Sequence, residues 1–338
     1  MKDGRHGSLA RVAALALLWG SAFLWIKLAL NSGLTPFQIA FLRSALGATV
    51  LLALSRGAHE RLPRDRGTWR RLVVAAFFCN ALPFLLFGIA EQNVDSGLAG
   101  VLHATTPLWS VLIGALIGTE RHIPPVRWGG LLLGFAGTLM IFAPWQATGL
   151  LSSSALALLA ASASYAVGFA YMGSKLTGRA SAPLSLAAAQ LVVATALTAP
   201  GALSSDTASV DLDLRAILAV LALGILSTGF TFYLSYRLIA DEGATSAATV
   251  GYLLPVVSVA LGAIVLDEKI GLRVLAGAAV VLAGVAATRW HTRPASPADT
   301  ATRSPEPLGP AEPAEPTGQG GPDGSASPAS PASRGGGH

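Results

Sequence analysis

The chain of 338 residues has one cysteine, Cys79, and only four lysines against nineteen arginines. A single thiol excludes a disulfide within the chain, and no Cys/His spacing of a metal cluster is present, so neither metal nor cofactor is expected. Charged residues make up 12% of the sequence, half of the roughly 25% usual in soluble domains. The GxxxxGK[ST] loop is missing, which excludes ATP as a direct energy source, and so are GxSxG and HExxH. Ser96 and His103 lie two helical turns apart, about 10 Å, too far to form a catalytic pair. The basic residues are scattered through short loops rather than clustered, so the net charge of +5 reads as a topology signal and not as a nucleic-acid surface. What the chain has in excess is apolar length, with 52% hydrophobic residues. That predicts an all-α membrane protein in the lipid bilayer.

Ten segments are long and apolar enough to span, near 9–30, 36–55, 72–90, 96–118, 126–143, 151–171, 183–200, 214–236, 244–266 and 271–289. The sixth and seventh are alanine-rich and the least hydrophobic. Lys2, Arg5 and Arg11 flank the first segment as in a signal peptide, but the apolar run is long and lacks a clear cleavage site, so it reads as a retained helix. With a cytoplasmic N-terminus, sixteen Lys and Arg residues fall in inside loops and three (Arg215, Lys269, Arg273) outside. Both termini are therefore expected in the cytoplasm. The abundance of arginine and alanine points to a bacterial plasma membrane.

Two stretches read as copies of one another. GLAGVLHATTPLWSVLIGALIGTE (97–120) lies on TSAATVGYLLPVVSVALGAIVLDE (245–268) at an offset of 148, pairing Pro107 with Pro255, Ser110 with Ser258 and Glu120 with Glu268. At 147, Gly130 meets Gly277, Gly137 meets Gly284, Pro36 meets Pro183 and Arg43 meets Gln190. Five segments per copy, an odd number, make the two halves run antiparallel, so an inverted 5+5 repeat is expected, with residues 1–145 as the first half and 146–290 as the second. Such repeats build secondary carriers around a shared midplane site. From 291 to 338 the chain turns to proline, glycine and serine and holds ten of the twenty prolines. This predicts a disordered cytoplasmic tail, whose PLGP and PAEP spacings could also serve a proline-reading partner.

The ordered set LALLWGSAFLWIKLAL (15–30), TPFQIAFLRSAL (35–46), the two repeated stretches, and the glycine-bearing GGLLLGFAGTLMI (129–141) and AGAAVVLAGVAAT (276–288) resembles the EamA-type carriers of the drug/metabolite transporter superfamily. The resemblance covers residues 10–290. It implies ten helices in an inverted repeat and transport of small metabolites, and it leaves the substrate open. A basic residue at the position of Arg43 also fits that family's habit.

Arg43 lies seven residues into the second segment, about 10 Å below its outer end. Such a cation faces a cavity or pairs. It either clamps a substrate anion, or pairs with Glu91 or bonds helix carbonyls and only snorkels outward. His103, at similar depth, either carries a coupling proton or packs as a neutral ring. Pro107 and Pro255 should kink their helices, freeing the carbonyls of His103 and Gly251 towards a central cavity, or serve packing alone. Trp109 and Tyr252 stand within three residues of those prolines and, with Trp19, Trp25, Tyr165, Tyr171 and Tyr233, are candidates to line a pocket. Gln190 holds Arg43's place in the second copy and completes the candidate substrate-binding set. Glu120 and Glu268 close their helices as caps or gates, and Lys27 is expected to snorkel to the outer face. Gly114-xxx-Gly118 and Gly130-xxx-Gly134 allow close helix approach, within the monomer or in a homodimer.

The leading expectation is a secondary carrier exporting a small amphipathic metabolite or drug by alternating access. The alternative is a channel-like or sensor protein that recruits a partner through its tail.

Overall fold

The computed structural model describes residues 2–93, 96–117, 124–142, 152–177, 182–206, 210, 213–254, 256–257 and 271–290. The described residues form helices and short connections and contain no strand. They belong to one compact unit, residues 1–292. The expected tail, 291–338, lies outside them, as do Pro255, Glu120, Glu268 and Gly118.

Six helical stretches have the length and composition to cross a membrane: Ala10–Asn31, Pro36–Gly57, Arg66–Glu91, Ser153–Lys175, Pro183–Leu203 and Leu214–Glu242. Shorter apolar helices cover Thr106–Leu116, Trp128–Ile141 and Leu272–Ala287. The two alanine-rich segments form full helices of 23 and 21 residues. Their small side chains lower hydropathy but let helices approach closely, which supplies packing where lipid gives no hydrophobic drive between helices.

The first crossing is α1 (Lys2–Gly20) and α2 (Ala22–Asn31), joined at Ser21, whose hydroxyl donates to the Leu18 carbonyl at 3.0 Å. Helix α3 (Pro36–Gly57) opens with proline at N1 and a capping box: Gln38 N donates to Thr35 Oγ1, and Thr35 N to Gln38 Oε1. The third crossing is α4 (Arg66–Ala76), a π-helical turn over Phe77–Ala81, and α5 (Leu82–Glu91). Pro83 follows that turn and lacks the N–H that would bond four residues back, which favours the widened turn. Then come α6 (Ser96–His103), α7 (Thr106–Leu116), α8 (Pro125–Phe142), α9 (Ser153–Lys175) and α10 (Pro183–Leu203). The next crossing is α11 (Leu214–Leu221), a second π segment over Ala222–Phe230, and α12 (Thr231–Glu242). Gly243, at φ +86°, turns the chain without a loop into α13 (Ala244–Ala248), which tightens to a 3-10 helix over Thr249–Tyr252. Helix α14 spans Leu272–Trp290.

Helices α8 and α14 cross through glycines and run antiparallel. A Cβ built at Gly137 would come 2.6 Å from the Val281 nitrogen and 2.8 Å from the Gly277 carbonyl oxygen, and one at Gly284 would meet the Gly134 nitrogen and, at 2.7 Å, the Gly130 oxygen. The Gly130-xxx-Gly134 face is therefore occupied within the chain. Helices α3 and α10 likewise run antiparallel, with Gly47 against Leu191 and Gly201 against Phe37. Large apolar side chains point outward, among them Leu17, Leu54, Leu132, Leu197, Leu218 and Leu275. Serine and threonine hydroxyls inside the bundle bond back to their own helix, as Ser44 does to Ala40 and Thr198 to Ala194. An apolar exterior over backbone and hydroxyl groups bonded within their own helices is the pattern lipid demands.

Candidate functional site

A small cavity of about 30 Å³ lies among the first crossing, α3, α5, α6 and α9, lined by Trp19, Ala22, Phe23, Ile26, Arg43, Phe87, His103, Tyr165 and Leu254. That is room for about one water. His103 sits in an aromatic box: its ring centroid is 5.2 Å from Phe87, 5.4 Å from Tyr165 and 6.0 Å from Phe23, all edge-on. Its Nδ1 has no hydrogen-bond partner.

Arg43 supplies the cavity's charge. It is buried, and its Nε donates to Thr228 Oγ1 at 2.9 Å. The guanidinium carbon lies 3.7 Å over the centre of the Phe84 ring, which stabilises the cation against the quadrupole of the ring face. Among the described residues no other hydrogen bond to the guanidinium is present, and the group borders the cavity.

Gln190, Arg43's counterpart, is placed otherwise. Its Nε2 donates to Asn80 Oδ1 at 2.7 Å, and its Oε1 accepts from the Tyr236 hydroxyl. It is fully buried and lines neither cavity described here. The two polar pairs are nevertheless related. Arg43 and Gln190 are 147 apart, Asn80 and Thr228 are 148 apart, and each pair joins one copy of the repeat to the other. Asn80 and Thr228 both sit in π-helical segments. Phe84 and Phe232, again 148 apart, meet edge to face at 6.2 Å.

Arg43 does not pair with Glu91. Among the described residues the one recorded ion pair is Arg11 with Asp241, at 2.8 Å. Both Glu91 carboxylate oxygens are buried without a hydrogen bond. The Lys27 Nζ donates to the Glu91 backbone carbonyl at 2.9 Å.

The fourth segment is interrupted rather than kinked. Helix α6 ends at His103, a turn covers Ala104–Thr105, and Pro107 falls in the first turn of α7, where its missing N–H leaves no gap. Of the two carbonyls expected to be freed, that of His103 accepts from Thr106 Oγ1 at 2.7 Å, and the neighbouring Leu102 carbonyl accepts from Thr105 Oγ1 at 2.6 Å. Gly251 belongs to the 3-10 segment in the corresponding stretch of the second copy and packs beside Pro107. Tyr252 fills the space against Gly134, its hydroxyl unpartnered, away from the cavity. Trp109 is half-buried and off the cavity wall. A second cavity, about 270 Å³, lies where α7, α9 and α12 end, lined by Ser110, Gly114, Gly173, Ser174, Gly243 and Thr245 among others, with Ser110 Oγ donating to Thr245 Oγ1 at 3.3 Å.

The EamA-like transporter family matches this chain twice, over residues 9–143 and again over 154–290. The chain belongs to the EamA-like transporter family. It is 27% identical over 278 residues to an uncharacterized transporter of Archaeoglobus fulgidus, covering 81% of this chain and 95% of that protein. It is 28% identical over 255 residues to the uncharacterized inner membrane transporter YedA of Escherichia coli, covering 74% and 79%. A solved crystal structure superposes with a TM-score of 0.68 at 20% identity, over 86% of this chain and 99% of that one. The chain is thus a multi-pass membrane protein of a transporter family, with the fold of a known crystal structure.

Within this EamA-like chain, sequence reasoning found Arg43, His103, Trp19 and Tyr165 on the cavity wall. It missed Phe23, Phe84, Phe87 and Thr228. The offset of 148 between Asn80 and Thr228, two polar residues in apolar helices, was the signal that could have pointed to the paired bonds.

Proposed function

We propose that this protein is a secondary carrier, not a catalyst, which exports a small amphipathic metabolite bearing an anionic group by alternating access in the bacterial plasma membrane. The observation that carries the reading is Arg43: a buried cation at the wall of an aromatic cavity, with one of its donors used and the rest available. The cavity is closed around about one water in this state and would widen as the halves part; a carboxylate would then take a bidentate contact with Arg43, with Phe23, Phe87, Trp19 and Tyr165 beside its apolar body.

The alternation follows from an inverted 5+5 repeat of ten crossings, with both termini cytoplasmic. Three features support it: equivalent helices α8 and α14 run antiparallel, equivalent rings Phe84 and Phe232 touch, and the bonds of Arg43 and Gln190 correspond. In that topology the second cavity lies at the cytoplasmic end and the Arg43 cavity deeper in the bundle. Rocking one half against the other exposes the site to each side in turn.

The test compares metabolites released by cells carrying the intact protein, Arg43→Ala or empty vector, with equal membrane yield. A compound enriched only by the intact protein supports export. Equal release by Arg43→Ala removes the anion-clamp role. A reporter fused near residue 205 is expected outside; a cytoplasmic signal there reverses the topology.

A further inference from the structure

We propose that the Glu91 carboxyl is the carrier's proton-binding site, and that it takes up a proton as an anionic substrate settles on Arg43; the coupling rests on the carrier reading above. Glu91 ends α5 with no exposed surface, and neither carboxylate oxygen has a hydrogen bond. Two cations are close but engaged elsewhere. The Lys27 ammonium holds the Glu91 backbone carbonyl rather than its carboxylate, and the Arg43 Nε holds Thr228. Their charges reach the carboxylate only through space.

From the elements packed on α5, the charged or titratable groups facing this region are Lys27 of α2, Arg43 of α3, His103 of α6 and Tyr165 of α9. The last two meet the ring of Phe87, one turn before Glu91. A buried, unbonded carboxylate is costly to keep ionised, whereas a carboxylic acid is much less so. Only the nearby positive charge favours the ionised form, so whatever neutralises that charge favours the proton.

Charge counting gives the sign. With a neutral imidazole, Lys27, Arg43 and ionised Glu91 sum to +1. An anion on Arg43 brings the sum to zero and sets two negative groups beside one another. Uptake of a proton from water by the Glu91 oxygen restores +1. Anion and proton therefore bind together, each raising the other's affinity by the same factor. A monoanion carried with one proton moves no net charge, so its transport responds to the concentration gradients of the anion and the proton and not to the membrane potential.

The experiment is infrared difference spectroscopy of the full chain in lipid vesicles, with carbon-13-labelled glutamate, for the wild type, Glu91→Gln and Glu91→Asp. The probe anion is phenylacetate, and equilibrium dialysis of the carbon-14-labelled compound reports its binding. The expected result is a protonated-carboxyl band that grows as pH falls, grows again on adding phenylacetate at fixed pH, and is lost in Glu91→Gln. In Glu91→Asp it should return at the frequency of an unlabelled carboxyl, and in Glu91→Gln phenylacetate affinity should lose its pH dependence. A Glu91 that stays in one charge state from about pH 4 to pH 9, or a band unchanged in Glu91→Gln, overturns the proton site. Phenylacetate that binds without changing the band overturns the coupling. A Glu91 that titrates in protein that does not bind phenylacetate supports the proton site and counts against the anion reading above.

Discussion

Thr228→Val and Asn80→Leu remove corresponding hydrogen bonds from the two halves, and the structure expects them to act alike on stability but differently on transport. Thr228→Val keeps the side-chain shape and deletes the hydroxyl that accepts from Arg43 Nε at 2.9 Å and donates to Leu223 O at 2.8 Å. A bond to a charged group is worth about 1.5–3 kcal/mol. Arg43 keeps its place 3.7 Å over Phe84, and the cavity beside it admits a water, so the loss should fall near 2 kcal/mol. Asn80→Leu strands the Gln190 Nε2 donor where no water reaches, a desolvation penalty of about 1–3 kcal/mol. Both variants should therefore unfold at lower temperature in detergent by similar amounts. Transport, measured per folded molecule, should separate them. The guanidinium released by Thr228→Val can shift in the cavity, and a loss of about 1.4 kcal/mol in substrate contact would weaken affinity about tenfold. Asn80→Leu should leave the substrate affinity of folded protein unchanged, because Gln190 is sealed from the cavity. Equal transport defects after correction for folded yield would refute the assignment of the site to Arg43 rather than to the pair.

Two further outcomes follow from local geometry. Gly137→Ala should cost about 1–3 kcal/mol by pushing a Cβ onto the backbone of α14, while Gly129→Ala, with open space around it, should be neutral or gain up to about 1 kcal/mol from helix propensity; unfolding by denaturing detergent ranks them, and equal stability would deny the α8–α14 crossing. Asp65 caps α4 by accepting from Thr68 N at 2.6 Å, and that bond holds its carboxyl below the usual carboxylate range. Because the folded value is the lower one, the cap's contribution is present above the ordinary carboxylate pKa and lost as pH falls through the folded value. Asp65→Ala should lower the melting temperature at neutral pH, and the gap from the wild type should close on acidification; a gap that persists in acid argues against the cap.

The repeat was legible because its landmarks are residues whose backbone behaviour is conspicuous in a sequence: Pro36 and Pro183 at helix starts, and Gly130, Gly137, Gly277 and Gly284 at a helix crossing. Helix ends and apolar runs could be placed from those and from length. The fourth segment was harder. Pro107 alone reads as a kink with a freed carbonyl, and only the hydroxyls of Thr105 and Thr106 turning back on Leu102 and His103 show that the chain breaks one turn earlier with its acceptors satisfied. The π-helical turns could not be read either, since the extra residue they absorb leaves the apolar pattern nearly unchanged. They decide which way Asn80 and Thr228 face, and hence which buried polar groups find partners.

Gln190 shows why equivalence in a repeat does not transfer a role. It occupies Arg43's place and makes the corresponding bond, yet Tyr236 adds a second bond to its amide, so both ends are used. On the Arg43 side the facing aromatic is Phe84, which offers a ring face and no hydroxyl. A ring face stabilises a cation without consuming its donors, whereas a phenol would have taken one of them or required an acceptor. The asymmetry on which the proposed binding role of Arg43 rests thus lies in the partners of the two side chains. A change that gave Arg43 a second protein partner would close the site without altering the helices around it.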